Sequence, residues 1–80
     1  MENKVSLMLI RIEETSLNFV RFTNYGDRSG NIRTHFIQKN TTFQYDKMKE
    51  GEWYLITSQN VDNIWIWRMA FPININEKIL

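Results

Sequence analysis

Between residues 64 and 71 the chain reads Ile-Trp-Ile-Trp-Arg-Met-Ala-Phe. Side chains alternate across a strand, so this run predicts one with Trp65, Trp67, Met69 and Phe71 on one side and Ile64, Ile66 and Ala70 on the other. Both sides are apolar, and both need cover. In a closed barrel the small aliphatics point inward and the aromatics outward; in a sandwich or a dimer the aromatics form the core. The same two-residue period runs through the first half of the chain. Residues 4–13 place Val5, Leu7 and Leu9 opposite Met8, Ile10 and Ile12, which predicts a long, central, bent strand. After the polar break at Glu14-Thr15-Ser16, residues 17–23 set Leu17 and Phe19 opposite Val20 and Phe22, making a hairpin with the first strand. Residues 24–31 contain Gly26, Gly30 and turn-forming polar residues, the pattern of a mobile loop. A third strand over 32–38 completes a meander.

The second half is less regular. In residues 43–51, Phe43, Tyr45 and Met48 fit neither a strand nor a helical period, so a short strand or a single helical turn closed by Gly51 is expected. Strands follow over 52–58 and 64–71, joined by a five-residue loop, Gln59-Asn60-Val61-Asp62-Asn63. Pro72 has no N–H for a ladder and should end central pairing, leaving a short tail from about 72 in which Ile73-Asn74-Ile75-Asn76 can pair at a sheet edge. Eighty residues build one core, so residues 1–80 are read as a single domain. The expected class is all-β, a small five- to six-stranded barrel, with an SH3-like barrel and a dimeric sandwich also compatible.

Within that class the order of elements resembles an OB-fold: a long bent first strand, a meander, a short linking element and a final hairpin. The fragment Met48-Lys49-Glu50-Gly51-Glu52-Trp53-Tyr54-Leu55-Ile56 is similar to the entry into the fourth strand of many OB-fold proteins. The linking element departs from the family in lacking a helical pattern. The resemblance implies a module that binds single-stranded nucleic acid.

Composition narrows the functional classes. A hydrophobic share of 42% is ample for a folded domain. With no cysteine there is no disulfide framework, thiolate metal site or cysteine nucleophile, which suits a cytoplasmic protein. The apolar stretch from Val5 to Ile10, broken at Ser6 and ended by Arg11, is too short for a leader or a membrane span, so no membrane association is expected. A net charge of +1 gives no global pull toward a polyanion, and any such attraction must be local.

Catalysis finds little support. His35 is the only histidine, and the pairs Glu13–Glu14 and Glu50–Glu52 sit where solvated surface charges are usual. No catalytic group, metal or cofactor is expected, and the chain is not read as an enzyme. The meander is more informative. From Arg21 to Lys39, four cations (Arg21, Arg28, Arg33, Lys39) face one acid, Asp27, with His35 among them and Phe19, Phe22, Tyr25 and Phe36 interleaved. Single-stranded nucleic acid is held by cations on phosphates and rings under unstacked bases. On the third strand Arg33, His35 and Ile37 fall opposite Ile32, Thr34 and Phe36, which predicts a basic side distinct from the core side. Trp65 and Trp67 are either core or stacking platforms, and Arg68 points away from them.

The expected function is binding of single-stranded DNA or RNA without strong sequence preference, through Arg21, Tyr25, Arg28, Arg33, His35, Phe36, Lys39, Trp65, Trp67 and Arg68. The alternative is a small protein-binding inhibitor or adaptor, of the kind phage and mobile elements encode, docking through the aromatic stripe or a sheet edge. A homodimer through the C-terminal edge would use the same features.

Overall fold

The computed structural model describes residues 4–39 and 41–75, which form β1 (Val5–Thr15), β2 (Phe19–Asn24), β3 (Ile32–Phe36), β4 (Trp53–Val61) and β5 (Ile64–Ile73). All neighbouring strands are antiparallel, in one sheet of order β3-β2-β1-β4-β5. The all-β expectation holds, with five strands. β1 occupies the centre because both its faces are apolar, and its two halves pair with different neighbours: residues 5–11 with β4 and residues 10–15 with β2. A bulge between Ile12 and Glu14 bends it where the second partnership is established.

The sheet is not closed, but it rolls until its two outer strands meet. The His35 ring of β3 lies on the Trp67 ring of β5 with centroids 3.7 Å apart. Just beyond β3, the Gln38 side chain donates from Nε2 to the Trp65 carbonyl (2.8 Å) and accepts from the Trp67 amide (3.3 Å). A side-chain amide thus stands at the seam where another strand would sit. Inside the roll are Ile10, Ile12, Val20, Phe22, Tyr54, Ile56 and Trp67, with Phe43 and Met48 packed on them from the link before β4. That link is a single 3₁₀ turn, Tyr45–Lys47, followed by Gly51 at φ +84°. Gly51 N donates to Ile12 O at 2.7 Å and Ile12 N to Glu52 O at 3.0 Å, tying the link to β1 before β4 begins.

Four expectations are corrected. The aromatic stripe of β5 is split: Thr57 pairs with Met69 and Ser58 with Trp67, so Arg68 has no partner and the alternation slips by one. Trp65 and Trp67 consequently join the concave side with Ala70 and Pro72, while Met69 and Phe71 join the convex side with Ile64 and Ile66. The sides of β3 are reversed. Val20 and Phe22 are core residues, and their partners His35 and Arg33 share their face, leaving Ile32, Thr34 and Phe36 outside. The β4–β5 connection is not a five-residue loop but a two-residue turn, Asp62-Asn63, with φ of 52° and 66°. Positive φ at both central residues defines a type I′ turn, which Asp and Asn tolerate and which matches strand twist.

Pairing also does not stop at Pro72, which lies opposite Tyr54 with Ile73 opposite Trp53. β5 is an edge strand, the one kind of place in a sheet that accepts proline. The ladder ends at Ile73, and Asn76, the last residue of the pairing expected in the tail, lies outside the described residues. Residues 24–31 close on themselves: Asn24 Oδ1 accepts from Gly26 N, and Asp27 Oδ1 accepts from the amide and hydroxyl of Ser29. Among the described residues no helix is long and apolar enough to cross a membrane.

Candidate nucleic-acid interface

The register sorts the sequence-derived site residues into separate places. Trp67 is only 3% exposed, with Phe22 and Phe43 edge-on at 5.7 and 5.6 Å, so it has no open face for a base. His35 lies parallel to it, within 5°, and its Nε2 is 2.7 Å from the Tyr45 hydroxyl. Trp65, by contrast, is 44% exposed. On the convex side, exposed Phe36 sits opposite Phe19, and the Arg21 guanidinium lies over the Phe19 ring at 5.4 Å. Arg21 is also 3.3 Å from Glu14, which neutralises it. Arg33 pairs with Asp27 at 3.1 Å; bonds from Ser29 first, then from Arg33, hold that carboxyl below its ordinary range. Tyr25 is exposed, edge-on to Trp53 at 6.0 Å. Arg28 and Lys39 are exposed. The meander's cations therefore do not form one patch.

Burial pushes the His35 pKa from 6.5 down to about 4. A folded chain that binds this proton more weakly than the unfolded chain is fully stabilised above about pH 6.5 and loses that stability as pH falls through 4. We expect a loss of about 1–2 kcal/mol from this group between pH 7 and 4, a figure reduced for its partial exposure. Urea unfolding at both pH values should show a smaller pH dependence for His35→Gln than for the parent chain. An unchanged dependence would assign the effect to other groups.

The unneutralised cations converge elsewhere. Between the Thr42–Lys49 segment and the second half of β5 runs an open groove of about 600 Å³. Phe43, Met48, Tyr54, Met69, Ala70 and Pro72 contribute its apolar lining, and Lys47, Lys49 and Arg68 its cations, with Glu52 the one acidic lining residue among the described residues. The three cations are exposed and, among the described residues, in no ion pair. Their placement follows from local packing. Met48 is buried, so its neighbours Lys47 and Lys49 turn outward. The Tyr54 hydroxyl accepts from Lys49 N at 2.9 Å and donates to Lys47 O at 3.4 Å, fixing the backbone that carries both. Arg68 is the unpaired bulge residue of β5, and its Nε donates to Gln59 Oε1 at 3.1 Å.

Of these cations the sequence reading found Arg68 alone. The missed signal was the alternation Lys47-Met48-Lys49, an apolar anchor between two cations in a segment without a clear period. The chain matches no family model, no curated protein and no solved structure.

Proposed function

We propose that this domain binds single-stranded DNA or RNA without strong sequence preference, with phosphates held by Lys47, Lys49 and Arg68. The observation that carries this reading is the groove itself: Lys47 and Lys49, without carboxylate partners among the described residues, beside an apolar floor, with Arg68 at the β5 edge. Cations on the phosphates supply sequence-independent affinity, and the apolar floor and exposed rings accept bases that a single strand leaves unstacked. A strand leaving the groove along β5 passes Arg68 and reaches the exposed ring of Trp65, whose carbonyl is bonded to Gln38, the neighbour of Lys39. Lys39 thereby extends the basic track. The rolled, partly open five-stranded sheet supports the OB-like resemblance, an argument from analogy that the groove chemistry strengthens.

The test is a titration of tryptophan fluorescence with oligo-dT and oligo-U at two salt concentrations. Trp67 is shielded, so quenching should arise largely from Trp65 and disappear in Trp65→Phe. Three to four phosphate contacts on a single strand should weaken affinity about 30-fold between 50 and 200 mM salt. Absence of any quenching at protein concentrations of about 50 μM would overturn the proposal.

A further inference from the structure

The other side of the sheet carries a surface of a different kind. Across the convex face of β1, β4 and β5, the two central rungs are Leu7–Thr57–Met69 and Leu9–Leu55–Phe71. Leu7 is 64% exposed and Phe71 42%. Val5, Gln59 and Ile66 extend the surface on one side, where Arg68 Nε donates to Gln59 Oε1, and Trp53 and Ile73 extend it on the other, with Arg11 at a corner. Strands about 4.8 Å apart and same-face residues about 6.8 Å apart give four rungs on three strands a plan area of roughly 400 Å². An apolar patch of this size is comparable to the largest on a typical monomer, about 300–600 Å², and such patches are often functional.

We propose that this face packs on the same face of a second copy, forming a two-sheet sandwich about a two-fold axis. Three features select that occupant. The central rungs carry no charge, so nothing in them selects a partner of complementary sign. The rung of Leu7, Thr57 and Met69 has a smaller residue at its centre than the rung of Leu9, Leu55 and Phe71, so an antiparallel copy sets larger side chains against smaller ones. With the relief of the side chains, two such faces remove on the order of 1,200 Å² from solvent, the lower bound for a stable specific interface. An isologous pairing closes on itself and leaves no copy of the patch exposed. Lys47 and Lys49 stand with Phe43 and Met48 on the concave side, so pairing leaves that wall of the groove open, while Arg68 and Met69 on its β5 wall border the paired face.

Sedimentation equilibrium of the full chain at about 1–200 μM should report a mass approaching twice the 9.7 kDa of one chain. Leu7→Lys places a charge in a central rung of the face without touching the core and should sediment as a folded monomer, its fold confirmed by circular dichroism. Ile32→Lys, on the exposed convex side of β3, should remain dimeric. A monomeric parent chain at the highest concentration would overturn the proposal and leave the face to a different protein. So would dimers of Leu7→Lys, or equal dissociation of both variants.

Discussion

Trp67→Ala will cost the domain about 3–5 kcal/mol, a large part of its stability in water. The Trp67 ring joins the two ends of the rolled sheet: it touches Phe22 of β2, Phe43 of the link and His35 of β3 from its own place on β5. Truncating a buried tryptophan removes its burial energy and leaves a cavity, together about 3–5 kcal/mol. At about 0.05–0.15 kcal/mol per residue such a chain has a total stability of about 4–12 kcal/mol, so the loss is a large share of it. His35 would also lose the ring that covers it, and Tyr45, beside the imidazole and bonded to Nε2, would lose its fixed partner. Trp67→Phe keeps an aromatic ring at the seam and should cost about 1–2 kcal/mol. Urea titrations followed by far-ultraviolet circular dichroism measure both. Full stability of Trp67→Ala would show that the seam does not depend on this ring.

The second large effect concerns binding rather than folding. Replacing Lys47, Lys49 and Arg68 together by alanine should weaken oligonucleotide binding about 10- to 100-fold at low salt and reduce the slope of log affinity against log salt by about 2. All three side chains are exposed, so thermal unfolding should barely change. Arg21→Ala is the informative comparison. Arg21 already has Glu14 as a counterion on the opposite side of the sheet, and its loss should change affinity by less than about threefold. A larger loss from Arg21→Ala than from the triple variant would move the nucleic acid to the convex face, onto Phe19 and Phe36.

What the sequence revealed and what it hid have one physical origin. Alternation identifies a strand but not its phase relative to its neighbours. β1 and β2 were legible because Ile10, Ile12, Val20 and Phe22 recur at even spacing and become the core. In β5 the bulge at Arg68 adds one residue without changing composition, so Trp65 and Trp67 part from Met69 and Phe71 unannounced. In β3 hydrophobicity pointed the wrong way. Ile32 and Phe36 look more suited to a core than His35, but the pairing of Val20 with His35 decides, and a histidine kept neutral by burial stacks as a flat ring. The candidate site was obscured for a related reason. Charge counted along the chain favoured the meander, where Glu14 and Asp27 hold Arg21 and Arg33. The unneutralised cations Lys47 and Lys49 sit in a link whose shape depends on a tyrosine hydroxyl from the next strand.

The amide of Gln38 has a bearing on how the protein fares at high concentration. An uncovered edge strand of ten residues rich in Ile and Trp is a template on which a neighbouring chain can add a strand, the first step toward a fibril. Gln38 occupies a carbonyl and an amide of β5 at Trp65 and Trp67, and Pro72, further along, has no N–H to offer a newcomer. Between these two obstacles stands Arg68, a charge on a kinked backbone, which a sheet extending in register would have to accommodate. One glutamine, one arginine and one proline thus interrupt the edge along which a further strand would add.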